Sequence, residues 1–245
     1  LIAQLALLAA LAAVAGLGAA GWLAGMAYAL VTCAALHWGL HRTGAPGFGP
    51  ADRVTMTRTV LAGGVAALTA DSFTRPVSVP MLVALAAVAL ALDAADGQVA
   101  RRTGTSSELG ARFDMEADAF LILVLSVCVA SQAGAWVLAI GAMRYAYVAA
   151  SWALPWMRGT LPARYWRKVV AAMQGVTLAV VAAGVLPRPL ASAALVVSLA
   201  LLAESFGRDV LWLWVHRVPA GIRATTAVDR PELFGHRQPT GATIG

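Results

Sequence analysis

Long apolar stretches separated by short polar gaps set the pattern of this 245-residue chain. A helix needs about 17–25 mostly apolar residues to cross a ~30 Å hydrocarbon core. Eight stretches fit: Leu1 to Leu17, Ala20 to Leu40, Val54 to Phe73, Pro80 to Ala100, Leu109 to Ala130, Ala135 to Trp156, Tyr165 to Leu186 and Leu190 to Val215. The first two are broken near Gly16, Gly18 and Gly21; since one follows the other at once, they read as a helical hairpin rather than a signal peptide. A Gly/Pro-rich stretch from His41 to Pro50 precedes the third. After Arg217 the chain turns polar, with Pro219, Pro231 and Pro239, and an extended or disordered tail is expected. The expected fold class is therefore all-α, a polytopic membrane protein of eight spans. Residues 1–40 form an N-terminal transmembrane pair, 41–53 a cytoplasmic linker or interfacial segment, 54–216 a six-helix domain and 217–245 a polar cytoplasmic tail.

The gaps alternate in charge. One set carries Arg42 and Arg53, then Arg101, Arg102 and Arg112, then Arg158, Arg164, Arg167 and Lys168, and finally Arg217, Arg223, Arg230 and Arg237. The opposite set carries only Arg75 and Arg188. An excess of basic residues marks cytoplasmic loops, so the first set and both ends of the chain are expected on the cytoplasmic side of the cell membrane.

Composition agrees with this pattern. The chain is 60% hydrophobic and 12% charged, with a mean hydropathy of +0.76. A soluble domain is about a quarter charged, so an ordinary soluble domain is excluded, and so is disorder. The net charge of +6 would point to nucleic acid in a soluble protein. Here the bases lie in the gaps, where they orient spans and suit lipid headgroups or phosphates, and no nucleic-acid partner is expected. Cys33 and Cys128 lie inside apolar runs and read as inert packing. His37 and His41 have no third ligand nearby and read as an interfacial helix end rather than a zinc pair.

Candidate chemistry lies in one place. Half of the twelve acidic residues fall between positions 93 and 118: Asp93, Asp96, Glu108, Asp114, Glu116 and Asp118. A carboxylate at the bilayer centre costs about 2.5–3.5 kcal/mol, less toward the interface, so the cluster must be compensated. Asp93 and Asp96, at i, i+3, share one helix face; Asp114 and Asp118, at i, i+4, share another. The connection through Arg101 to Gly110 reverses the chain, so the two faces can form the walls of one oxygen-rich site. Hard divalent ions, Mg²⁺ above all, prefer such a site together with phosphate oxygens. Gly97 and Gly110 remove side-chain bulk where a ligand could approach, and Arg101 stands one turn beyond Gly97. An ion-pair network is a poor alternative, because Arg101 and Arg112 cannot neutralise four to six acids. A proton or cation pathway, as in a coupled transporter, and a metal-dependent phosphate enzyme both remain open on residue chemistry.

The series Asp93-x2-Asp96-Gly97-x2-Ala100-Arg101-x8-Gly110-x3-Asp114-x3-Asp118 resembles the signature of the CDP-alcohol phosphotransferase family at all eight fixed positions and all spacings. The six stretches from Val54 to Val215 look like that family's six-helix catalytic core, with the first two as an addition. The resemblance implies transfer of a phosphoalcohol group from a CDP-linked donor to an alcohol, with release of CMP, in phospholipid biosynthesis. It implies that Asp93, Asp96, Asp114 and Asp118 bind Mg²⁺ or Mn²⁺, two ions in all, and that Asp118 also acts as the base on the acceptor hydroxyl. Gly97, Ala100 and Gly110 would leave room for cytidine, and Arg101 would hold the diphosphate. Many members also carry Pro-Asn-x-x-Thr-x-x-Arg before the core. Here Ala51-Asp52-Arg53-Val54-Thr55-Met56-Thr57-Arg58 keeps Thr55 and Arg58, which join the expected donor contacts, and departs at Ala51 and Asp52.

For the acceptor the candidates are Arg144, inside an expected span, and Arg158, Arg164, Arg167 and Lys168 in the next cytoplasmic loop. The commonest bacterial members use CDP-diacylglycerol as donor. The expected acceptor is a polyol phosphate such as glycerol phosphate or inositol phosphate, with phosphatidylglycerol, the acceptor of a cardiolipin synthase, as the alternative. The resemblance further implies a homodimer. Glu204 and Arg208, at i, i+4, read as a structural ion pair.

Overall fold

The computed structural model describes residues 1–43, 50–103, 108–159, 161–162 and 165–217. Among them eight α-helices succeed one another with no strand: α1 (Ile2–Ala15), α2 (Ala19–Thr43), α3 (Pro50–Asp71), α4 (Val79–Thr103), α5 (Glu108–Ala133), α6 (Leu138–Ala153), α7 (Tyr165–Ala182) and α8 (Arg188–Val215). Glycine and proline set the breaks. Gly16 ends α1 in the left-handed region, at φ 66° and ψ 54°, a conformation that a side chain opposes. Pro189 occupies the first turn of α8, where its missing N–H leaves no intrahelical bond unmade.

The stretch Ala135 to Trp156 is not one continuous helix. A short 3-10 turn, Ala135–Val137, precedes α6, and a second, Pro155–Arg158, follows it. Between α6 and the second turn Leu154 is extended, at φ −118° and ψ 94°, because the proline ring at 155 clashes with a helical predecessor.

Of the eight expected spans, two helical segments among the described residues, Ala19–His41 and Arg188–Val215, are long and apolar enough by themselves to cross a membrane. The others fall short for visible reasons. Ile2–Ala15 is 14 residues long and α6 is 16. Helices α4, α5 and α7 carry their charges near one end, as with Asp93 in α4 or Asp114 and Asp118 in α5, and α3 carries them at both, and this shortens the apolar run.

Helices α3 and α5 form the centre. The first packs against α1, α2, α4 and α5; the second against α3, α6 and α7. Their shared core includes Val65, Leu68, Leu121, Leu125 and Val129. Lipid tails are as apolar as leucine, so helix association in a bilayer depends on close packing and interhelical hydrogen bonds. Both occur here. A Cβ at Gly64 would stand 2.8 Å from Leu7 Cδ2, so α1 lies directly on the α3 backbone. Buried Gln174 of α7 donates from Nε2 to the Ser198 carbonyl of α8 at 2.9 Å and accepts from the Ser198 hydroxyl. Outward faces present Leu30, Val31, Val88, Trp152, Val196 and Val197, an apolar surface suited to lipid.

At the end of α3, Asp71 is 1% exposed. Its carboxylate accepts from the backbone N–H of Gly18 at 2.9 Å and of Gly21 at 3.3 Å, and from Arg75 Nε at 2.6 Å. Gly18 has no side chain with which to cap α2, and Asp71 supplies that cap from another helix.

Candidate active site

Three helices build the site. Helix α3 contributes Thr55 and Arg58, α4 contributes Asp93, and the start of α5 contributes Asp114 and Asp118 one turn apart. The three carboxylates converge: one oxygen from each lies within 4.8 Å of the other two. Each of these side chains is about a third exposed, while Arg58 is 3% exposed. The Arg58 guanidinium enters the cluster. Its Nη1 is 3.0 Å from Asp93 Oδ1 and also contacts Asp114, and its Nη2 donates to Asp118. Arg58 Nε is buried and has no hydrogen-bond partner among the described residues.

Among the described residues one guanidinium opposes three carboxylates, an excess of negative charge. The donor atoms are all oxygen and partly open. Together these features fit a hard divalent cation such as Mg²⁺ or Mn²⁺ and do not favour zinc, which prefers nitrogen and sulfur.

Asp96, Gly97, Ala100 and Arg101 fall on α4, but their side chains lie outside the described residues. Gly110 is on the first turn of α5. Thr55 is buried, and Thr59 Oγ1 donates to its carbonyl at 2.8 Å.

The acceptor candidates are not gathered at one point. Arg144 donates to Glu116 across α5 and α6. Arg158 closes the end of α6, with Nε 2.9 Å from the Ser151 carbonyl and Nη2 3.1 Å from that of Trp152. Arg167 pairs with Asp209 at 3.3 Å and also donates to the Pro162 carbonyl. Lys168 is exposed on α7, and Arg164 lies outside the described residues. The expected pair Glu204–Arg208 forms.

Sequence reasoning missed Tyr28, whose ring stacks on Phe120 of α5 with centroids 4.2 Å apart, and Asp71. Asp71 carried a readable signal, a lone acid at the end of an apolar run with Arg75 one turn on. Tyr28 carried none, being an aromatic residue inside an apolar helix.

Fold and site thus define a helical protein with apolar helices suited to a membrane and a carboxylate cluster that could hold a metal ion. A family profile described as CDP-alcohol phosphatidyltransferase matches residues 49–204. The chain belongs to that family, whose members transfer a phosphatidyl group from a CDP-alcohol, and this makes it a membrane transferase of phospholipid synthesis. The choice between ion pathway and phosphate chemistry, open on residue chemistry alone, falls to phosphate chemistry. The match begins at the start of α3 and ends within α8, so α1 and α2 lie outside it. No curated protein and no solved structure matches the chain.

Proposed function

We propose that the chain transfers the phosphatidyl group of CDP-diacylglycerol to an alcohol acceptor, a polyol phosphate such as glycerol phosphate or inositol phosphate, and releases CMP. The observation that carries this reading is the convergence of Asp93, Asp114 and Asp118 within a family match that spans the core. These three, joined by Asp96, would hold two Mg²⁺ or Mn²⁺ ions. When bound, the ions neutralise phosphate charge and improve CMP as a leaving group. Asp118 accepts the proton of the acceptor hydroxyl. The acceptor oxygen then bonds to the lipid-side phosphorus as that phosphorus loses its bond to the bridging oxygen, and CMP leaves with the electron pair.

Thr55, Arg58, Gly97, Ala100, Arg101 and Gly110 receive the CDP portion. A lipid donor is supported by an apolar groove of about 400 Å³ between α4 and α7, lined by Val83, Ala87, Leu90, Ala91, Val176 and Ala179. It ends two residues short of Asp93 along α4, so an acyl chain in it would lie beneath a headgroup at the carboxylates. Arg144, Arg158, Arg164, Arg167 and Lys168 are assigned to the acceptor side on charge alone.

The same reading places the site at the cytoplasmic face of the cell membrane with eight spans, organised as the pair 1–40, the linker 41–53, the core 54–216 and the tail 217–245. Loop charge supports this. A homodimer is supported by the Glu116–Arg144 pair, two charges on an outward face otherwise shared with Met115 and Tyr145. The test is CMP release by the purified protein with Mg²⁺ or Mn²⁺ and CDP-diacylglycerol against glycerol phosphate, inositol phosphate and phosphatidylglycerol. CMP with one of the two polyol phosphates is expected. CMP with phosphatidylglycerol alone would make it a cardiolipin synthase, and none with any acceptor would refute the reading.

A further inference from the structure

The buried stripe of α8 runs Leu195, Ser198, Leu202, Ser205, Asp209, Leu213, and Asp209 is its charged position. This residue is 7% exposed, and a carboxylate so far withdrawn from water is destabilising unless a cation answers it. The answer comes from α7. The buried stripe of that helix, Val170, Gln174 and Leu178, continues one turn back to Arg167. Arg167 Nη1 donates to Asp209 Oδ2 at 3.3 Å, and Nη2 donates to the Pro162 carbonyl. The guanidinium is thus held from two sides, yet the side chain is still 32% exposed. A guanidinium has further N–H donors beyond these two contacts.

Helix α7 also packs against α4 and α5, the helices that carry the carboxylates. It meets α4 where a Cβ at Gly175 would stand 2.6 Å from Leu90 Cδ2. The apolar groove pairs Val83 and Ala87 of α4 with Ala179 and Ala183 of α7, so the two helices run antiparallel. Away from the groove, Asp93 follows Leu90 by three residues and Arg167 precedes Gly175 by eight. At a rise of 1.5 Å per residue, Arg167 therefore stands about 7 Å beyond the level of Asp93. The groove lies on one side of the carboxylate level and Arg167 on the other. Other bases on the acceptor side lack this placement: Arg144 turns to Glu116, Arg158 to carbonyls at the end of α6, and Lys168 is exposed.

We infer that Arg167 binds the phosphate of the acceptor and that Asp209 is the positioning residue that aims it. This deepens the polyol phosphate reading above and rests on it. A guanidinium takes two phosphate oxygens at once through its planar fork, and fixing its rotamer beforehand removes an ordering cost from binding. Asp209 lies beyond the matched segment, which ends at residue 204.

The test is steady-state CMP release by the full chain in detergent, with the KM for acceptor and the KM for CDP-diacylglycerol measured separately. Arg167→Gln is expected to raise the KM for glycerol phosphate or inositol phosphate about tenfold to hundredfold, the scale of a charged hydrogen bond. Asp209→Asn is expected to raise it about threefold to tenfold, and Asp209→Glu, which keeps the charge, to restore most of that loss. Asp209→Asn is expected to add nothing in the Arg167→Gln background, because Asp209 acts through Arg167. The KM for donor is expected to stay at the wild-type value throughout. Should Arg167→Gln fail to fold with Asp209 left unpaired, Arg167→Lys keeps the charge without the fork and is expected to raise the acceptor KM about threefold to tenfold. A residue that only ties α7 to α8 would move kcat and both KM values together, and would act equally in the two backgrounds. That result, or an acceptor KM unchanged by the Arg167 variants, would overturn the inference. A wild-type chain that releases CMP with neither polyol phosphate would overturn the acceptor reading and this inference together, and the wild-type assay alone distinguishes that case.

Discussion

Asp118 carries two proposed tasks, metal ligand and proton acceptor, and its amide variant separates them. Asp118→Asn keeps an oxygen at the same position but cannot take a proton. Turnover is expected to fall by about 10²–10⁴-fold, the usual contribution of a positioned base. Metal-dependent binding of CDP-diacylglycerol is expected to persist, because Asp93 and Asp114 still face the same point. The measurements are CMP release and equilibrium donor binding on the same preparation, and normal turnover in the variant would remove Asp118 from the base role. Arg58 shows why the residue scale needs coordinates. The sequence placed it beside the donor through its match to a short motif. The structure puts its guanidinium among the carboxylates, where it is the most buried charged group of the cluster.

At the scale of elements, the α1–α2 hairpin is joined to the core by specific contacts rather than by apolar burial alone. Asp71 satisfies two N–H groups at the start of α2, where the helix dipole also favours a negative charge. Asp71→Ala would leave those donors and Arg75 without their acceptor in a buried setting. A loss of about 2–4 kcal/mol is expected, read as a lower thermal midpoint in detergent and as new protease cleavage near Gly16 to Gly18. An unchanged midpoint and cleavage pattern would show that the hairpin is held by packing alone. The break of the sixth apolar stretch belongs to this scale too. Pro155 was in plain view, and its effect on Leu154 follows from ring geometry, but the run of apolar residues on both sides concealed it.

For the whole molecule, orientation is the open quantity that charge predicts. The short α3–α4 connection belongs to the set with few basic residues, and the end of α8 belongs to the basic set. In a Cys33→Ser, Cys128→Ser background, Phe73→Cys is expected to react with an impermeant thiol reagent from the extracellular side of sealed cells. Arg217→Cys is expected to react only after the membrane is opened. Both positions are exposed, so access rather than burial decides the outcome. Labelling of both from the same side would refute the proposed topology and, with it, the cytoplasmic placement of the carboxylates.

The sequence by itself determined the helical class, the eight apolar stretches and the facing of the carboxylates. Each depends on local periodicity: an apolar run of given length makes a helix, and acids at i, i+3 or i, i+4 share a face. It also determined the family, because eight positions at set spacings carry that information without coordinates. Only the tertiary structure decided which distant groups enter the site. Arg58 among the carboxylates, Tyr28 stacked on Phe120 and Asp71 at the start of α2 are meetings of residues from different helices. They depend on how far α2, α4 and α5 approach α3 and at what rotation. That approach is set by small residues such as Gly63, whose consequence appears only when the facing side chain is known.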